Sequence, residues 1–416
     1  NCMEGDTLVI SYIGYKEQLL RVKSVNVYNI VLKEATEDLE EVVVTAFGVG
    51  QKKESMVGAV SQIKSAELRI PTANLSSSFA GRLSGVTAYQ SSGEPGNDGS
   101  TFYIRGISTF TATSPLIVID GVEASSGDLN ALDPEVIESF SILKDATATA
   151  MYGTRGANGV MIVNTKSGAN LEKAAISARV EAYVSMPNRL PKYADGVTYM
   201  ELYNEAATNY GVGGALYSQD KIEGTRAGVD PYLYPNVDWY DEIFKDASFN
   251  QRVNFNVRGG SQRIDYFVNA NVNHETGMIR GRSSEFYSYD NNVDIMRYTL
   301  QTNINAHLTK TATLSMNLGV ELRDEHGPAT DADTGNINYL FNSVSANNPV
   351  DYPTFFPIGS SVNKWGTTSD YVKWGGYNGG NVAGGNNPLA ELTKGYRDTF
   401  ESTVRANIRY KQKLDF

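Results

Sequence analysis

Cysteine is nearly absent: 416 residues contain one, Cys2. A lone thiol excludes a disulfide framework and a thiolate metal site. Histidine is almost as scarce. His274, His307 and His326 share no ligand spacing such as His-Glu-x-x-His, so no metal and no cofactor is expected. Charged residues make up only 20%, and the balance is acidic, with a formal net charge of −11. That sign argues against nucleic acid as a partner. No apolar run reaches the ~18 residues of a membrane helix. This excludes helical spans only, because barrel strands leave a much weaker trace. No nucleophile–base pair or carboxylate dyad stands out, so an enzyme is not expected.

What is plentiful is Tyr (25) and Gly (39). That mix suits a strand-rich, loop-rich protein with aromatic belts, and the length suits more than one domain. Residues 133–168 divide the chain. Asp133 caps a short helix with Pro134 at its first position. A strand is predicted over 139–144. Asp145 then caps an Ala-rich helix that stops at Gly153. Gly153, Gly156 and Gly159 form a turn into a second strand, 160–166. The glycines follow a helix rather than precede one, and no Gly-Lys-Ser/Thr closes the run. A phosphate loop is therefore excluded.

Before this stretch the chain reads as small mixed units. Residues 1–33 hold strand-like runs at 7–13, 17–22 and 28–33, too few for a core alone. The acidic run Glu37-Asp38-Leu39-Glu40-Glu41 precedes Val42-Val43-Val44-Thr45-Ala46-Phe47-Gly48. A short apolar segment between charged flanks suits a peptide that adds a strand to a partner's sheet. An ordinary strand of a neighbouring domain fits equally. In 57–168, helices are expected at 66–68 and 75–83, and strands at 86–90, 102–105 and 116–120. Asp120-Gly121 signals a tight turn.

From 174 onward apolar and polar residues alternate in six runs, within 176–184, 253–257, 266–272, 300–308, 314–322 and 404–410. A soluble sandwich with one wet face would alternate too. Two features favour a membrane barrel. Strand length is near the ~9–11 residues needed to span at a tilt. The connections alternate between long (186–249, 323–400) or medium (275–296) and short (259–262, 309–311), as outer-membrane barrels do. Val180, Val268, Ile304 and Leu318 should then face lipid. The smallest membrane barrels use about eight strands, so six cannot close. Both chain ends read as cuts in a longer protein.

Together these motifs resemble the SusC/RagA-like branch of the TonB-dependent outer-membrane transporters of Bacteroidetes. Glu41, Val42, Val43, Val44, Thr45 and Ala46 look like the TonB box. Leu83-Ser84-Gly85-Val86, Ile104-Arg105-Gly106 and Pro115-Leu116-Ile117-Val118-Ile119-Asp120-Gly121-Val122 look like plug signatures. Lys144-Asp145, Tyr152-Gly153, Arg155-Gly156 and Asn158-Gly159 carry the branch-specific wording. The resemblance implies an α/β plug inside an antiparallel transmembrane barrel, incomplete here, preceded by the end of a small β-sandwich. Its divisions would be 1–33, the end of a carboxypeptidase-regulatory-like domain; 34–56, a linker with the TonB box; 57–170, the plug; and 171–416, the first barrel strands. The family closes roughly 22 strands.

It further implies active import of a bulky nutrient, an oligosaccharide by preference and a peptide otherwise. The implied partners are TonB energised by ExbB/ExbD, a SusD-like surface lipoprotein as lid, outer-membrane lipid, and a second transporter–lid pair. A signalling or structural receptor is a third reading, but residues 1–33 do not look like a signalling domain. Substrate contacts are expected from Tyr89, Asn97 and Asp98 in a plug loop and from Trp365, Tyr371 and Trp374 in a Gly/Asn-rich loop. Those aromatics could equally pack against the lid or the membrane interface.

Overall fold

A computed structural model describes residues 74–96, 98–107, 114–144, 149–168, 173–188, 190–211, 216–280, 286, 288–329, 338–356, 387–392 and 394–414, and the backbone of 7–10, 18–21, 42–44, 50–52, 60–64 and 373–374. The expected strand at 28–33 and helix at 66–68 lie outside these residues. β1 (Thr7–Ile10) pairs antiparallel with β2 (Gln18–Arg21), and β3 (Val42–Val44) with β4 (Gly50–Lys52).

The plug is built on a five-stranded sheet. β5 (Val60–Lys64) is one edge. β6 (Val86–Gln90) and β7 (Ser100–Ile104) form a separate hairpin. β8 (Leu116–Ile119), β9 (Val122–Ala124), β10 (Ile137–Leu143) and β11 (Val160–Thr165) complete the sheet in the order β5-β10-β11-β8-β9. Only β8 and β11 run parallel. β11 reads Val-Met-Ile-Val and all four are buried, as a strand covered on both faces should be. One face packs on Phe79, which lies edge-to-face with Phe102 at 5.3 Å and Phe140 at 5.7 Å. The other carries Val118, Leu143, Val160 and Ile162, with Tyr152 against them.

Two local expectations change. The helix over 75–83 is one 3-10 turn, Leu75–Ser78. The Ala-rich helix is described from its second half, a 3-10 segment Ala150–Gly156. It kinks at Gly153 (φ 58°, ψ −147°) and continues, rather than stopping there. Glycine takes that φ without steric cost.

The wall is a second sheet of six strands: β12 (Ala175–Ser185), β13 (Ser248–Gly260), β14 (Ile264–Thr276), β15 (Asp294–His307), β16 (Ala312–Pro328) and, after the small pair β17 (Phe355–Phe356) and β18 (Lys373–Trp374), β19 (Tyr396–Gln412). All pairings are antiparallel. One rung places Ile176, Val257, Val268, Thr302, Leu318 and Ala406 side by side on the outer face. Val180 and Ile304 share that face, and Val180 is 77% exposed. The opposite face carries Glu181, Arg252, Asn273, Arg297, Arg323 and Glu401 in one rung. This face meets the plug.

The long connections are folded, which the alternation pattern did not reveal. They contain helices Gly196–Asn209, Gln219–Ala227, Trp239–Ile243, Asn338–Ala346 and Pro388–Leu392. Asp195, Ser218 and Asp238 cap the first three through their side chains. Trp239, Ile243, Leu340, Val344, Leu389 and Leu392 close a common core over the long-loop end of the wall.

Candidate functional site

The site is the seam between plug and wall, and the plug's turns and helix caps supply one side of it. The Asp120-Gly121 turn joins β8 to β9 with φ +50° and +84°, the positive values of a type I′ turn. A non-glycine residue there costs on the order of 1 kcal/mol, so the surroundings must hold it. They do. The Asp120 carboxylate accepts from the Thr165 amide (2.8 Å) and the Thr165 hydroxyl (2.6 Å). Its carbonyl accepts from Arg409 Nη2 (2.7 Å) on β19. Asn303 Nδ2 on β15 donates to Thr165 Oγ1 (2.6 Å) and the Lys166 carbonyl (2.7 Å). A Cβ on Gly121 would lie 2.7 Å from Arg409 Nη2. Three plug segments and two wall strands thus meet at one small turn. Burial pushes the Asp120 carboxyl up, against the hydrogen bonds from Thr165.

Short helices supply the next contacts. In α1 (Ser126–Asn130), Ser125 and Asp128 form a reciprocal capping box. The same Asp128 carboxylate receives Arg405 from the wall. Burial raises this carboxyl, but the Ser125 and Arg405 hydrogen bonds outweigh it and hold it below the ordinary range. Asp133 caps the 3-10 turn Pro134–Val136 by accepting from the Glu135 amide at 2.7 Å. Its burial raises it despite the nearby Arg252 charge. Glu135 receives Arg179 at 3.0 Å and Lys166 at 3.6 Å, and Glu138 lies 3.8 Å from Arg258. In these ion pairs across the seam the plug supplies the carboxylate and the wall the arginine.

Cavities open along it, and two of them are large. One of about 530 Å³ lies between plug residues such as Asn74, Ser100 and Asp128 and wall residues Arg297, Glu321 and Glu401. The other, of about 570 Å³, lies between plug loop 90–95 and the bases of the long connections at Met186, Phe244 and Phe341.

The residues predicted from sequence distribute unevenly. Tyr89 is exposed and stacks on Tyr103 at 6.2 Å beside the second cavity's loop. Asp98 is half-buried. Its carboxyl holds Asn74, and its carbonyl accepts from Ser77 Oγ (2.6 Å) and Gln90 Nε2 (2.9 Å). Burial raises that carboxyl too. Asn97, Trp365 and Tyr371 lie outside the described residues, and Trp374 is described only as backbone paired with Phe355. Of the box, Val42–Val44 is a strand, and Glu41, Thr45, Ala46 and also Asp145 lie outside. The remaining signature residues support the plug. Lys144 covers Gly85. Arg155 pairs with Glu123 at the surface. Gly159 lets Ile104 approach to where a Cβ would sit 2.8 Å away. Arg105 and Gly106 turn with positive φ after β7. Gly156 is buried and Asn158 half-buried in the turn before β11. Sequence reasoning missed Asp128, Asp133, Asn303, Arg405 and Arg409 as seam residues. Arginine at polar positions of β12, β13 and β19 was the available signal.

Residues 52–160 match the family described as TonB-dependent Receptor Plug Domain. TonB-dependent receptor SusC of Bacteroides thetaiotaomicron is 33% identical across 73% of this chain and 29% of its own length. TonB-dependent receptor P26 of Formosa agariphila is 32% identical across 70% of this chain and 28% of its own length. The chain thus spans less than a third of these relatives. The open-open RagAB peptide importer superposes over 88% of this chain and 40% of its own, with a TM-score of 0.63 at 20% identity. A plug of this order, a wall of this alternation and these relatives converge: the chain belongs to the SusC/RagA-like branch of the TonB-dependent receptors, outer-membrane proteins of Bacteroidetes.

Proposed function

We propose that the protein imports a bulky nutrient, an oligosaccharide, across the outer membrane by TonB-driven displacement of the plug. The seam carries this reading. Among the described residues, plug and wall are held by separate hydrogen bonds and ion pairs, each replaceable by water, and the buried apolar clusters of the plug contain no wall residue. A fastening of that kind suits a gate that opens and recloses. Residues 41–46 act as the box that TonB grips by main-chain pairing, drawing on ExbB/ExbD. A SusD-like lipoprotein closes over the long connections, and two transporter–lid pairs associate. Residues 1–33 are the end of a carboxypeptidase-regulatory-like domain, 34–56 the linker, 57–170 the plug and 171–416 the first part of the barrel.

The sugar preference rests on the cavities. The first is lined by amides, hydroxyls and mutually paired charges, such as Arg297 with Glu321 at 3.4 Å. The stacked Tyr89–Tyr103 pair offers a flat face at the loop of the second. A peptide is the second reading, favoured by the fold likeness to RagAB.

Deleting residues 41–47 should abolish growth on the imported nutrient while substrate binding at the cell surface persists. Undiminished growth of that strain removes active transport from the reading. Calorimetric titration of the full-length transporter–lid complex separates the substrates: binding of peptides and not of oligosaccharides would replace the sugar assignment.

A further inference from the structure

The plug does not fit the wall evenly. We infer that substrate crosses along the plug-facing side of β15, β16 and β19, beneath α1 and the β8–β9 turn, while the plug stays seated on β12, β13 and β14. The inference rests on the import reading and locates its path.

One rung of the wall makes the comparison at a single height. Arg179, Asn254, Asn271, Thr299, Glu321 and Thr403 stand side by side on the plug-facing side. In the first half of that rung, Asn254 and Asn271 are buried. The space between Arg179, Arg252 and Asn254 of the wall and Asp133, Pro134 and Glu135 of the plug is about 10 Å³, room for no more than one water. In the second half, Glu321 and Thr403 are half-buried and line the cavity of about 530 Å³. β13 and β16 each lie one strand in from an end of the sheet, so position in the wall does not explain the difference. Two rungs nearer the short turns the contrast recurs. There Arg258 reaches Glu138 at 3.8 Å and Phe267 beside it is buried, while Asn317 and Asn407 line a cavity of about 190 Å³. A third cavity, of about 490 Å³, follows at the short turns, lined by His307, Thr313 and Lys411 of the same three strands.

The cavities thus succeed one another down three strands, from the long-loop end to the short-turn end. Two fastenings interrupt them. Arg405 holds Asp128 of α1 above the second cavity, and Arg409 and Asn407 donate to the Asp120 carbonyl within it, at 2.7 and 3.4 Å. Freeing α1 and the β8–β9 turn joins the three spaces. On the other half the plug would have to leave a close-packed surface before any room existed. The register shift of β10 between Ile137 and Ser139 lies beside that seated half, next to Glu135 and Glu138, and gives it a place to bend. The chemistry of the path suits a hydroxylated substrate. Asn164, Asn303, Asn305, Asn317, Asn407 and Ser315 line the second cavity. Amides and hydroxyls both donate and accept, so a sugar hydroxyl can exchange one partner for the next.

The test reads where the seam opens. Single cysteines in a Cys2→Ser background of the full-length transporter–lid complex are exposed to a charged methanethiosulfonate, in cells taking up the imported nutrient, with and without a protonophore. The proton gradient should raise the labelling of Ser315→Cys, Asn317→Cys and Asn407→Cys several-fold and leave that of Asn254→Cys and Asn271→Cys unchanged. Ser315→Cys keeps the size of the side chain, so it carries the test if an asparagine variant fails to assemble. A bulky methanethiosulfonate at that position should stop uptake, and dithiothreitol should restore it. A rise at Asn254→Cys or Asn271→Cys that equals or exceeds the other set overturns the inference. So does the absence of a rise at every position in cells that still take up the nutrient. Uptake that survives both the protonophore and deletion of residues 41–47 would instead remove the import reading, and the inference with it.

Discussion

The plug is held to itself and to the wall by opposite means. Inside, Phe79, Phe102 and Phe140 meet edge-to-face in a core with no exposed member. That cohesion is non-directional, at about 25 cal/mol per Å² of apolar surface buried. At the seam the contacts are directional: Arg409 to the Asp120 carbonyl, Arg405 to Asp128, Arg179 to Glu135. A small displacement leaves the first kind nearly intact and breaks the second outright. Each broken seam contact is then solvated, so its net loss is about 0.5–3 kcal/mol. A body that is firm within and lightly fastened outside moves as a unit before it unfolds.

The contrast can be broken from the inside first. Phe140→Ala removes the ring at the centre of the core and should destabilise the plug by about 3–5 kcal/mol. Proteolysis of the plug within a folded barrel should rise steeply; an unchanged cleavage rate would show that the core is not what holds it. Arg409→Ala acts at the seam alone. It should loosen the β8–β9 turn by roughly 1–3 kcal/mol, seen as faster amide exchange over 116–124 with β10 unaffected. If β10 exchanged faster too, seam and core would be one cooperative unit.

Acidity sharpens the comparison further. The buried Asp133 carboxyl is raised, so it holds its proton more tightly docked than exposed. Its contribution is present below the ordinary carboxylate range and lost as pH rises through the raised value. Asp128 is lowered, so its contribution is present above that range and lost as pH falls. Exchange over Pro134–Val136, corrected for the intrinsic rate, should therefore slow on mild acidification, and Ser126–Asn130 should not follow. Asp133→Asn should flatten the first response. The smallest effect is expected from Arg155→Ala. Both members of the Arg155–Glu123 pair are largely exposed, so the loss should be within about 1 kcal/mol and plug exchange should be unchanged.

The sequence made the wall legible because alternation is a local property: each strand declares its two faces by itself. The set expected to face lipid, Val180, Val268, Ile304 and Leu318, falls on one face of the sheet without any knowledge of register. The Asp120-Gly121 turn was legible for the same reason. The partners of that turn were not. Asp128 and Arg405 are 277 residues apart, and only the docking of plug on wall brings them together. The helices of the long connections have readable caps at Asp195, Ser218 and Asp238, but the period-2 pattern of the flanking strands carries no trace of them. The predicted substrate residues share one plug loop and one outer loop, and the described part of the first leaves Tyr89 open while engaging Asp98 internally.

The five pairings of the wall run without a single slip along their length, whereas β10 of the plug shifts register between Ile137 and Ser139. A slip of one residue in a wall strand would turn its arginines into the lipid and its valines toward the plug. The wall therefore cannot yield by sliding. It behaves as a stator, and a tug on the plug must be taken up where the load path is softest, at the bulged strand and at the row of contacts facing it.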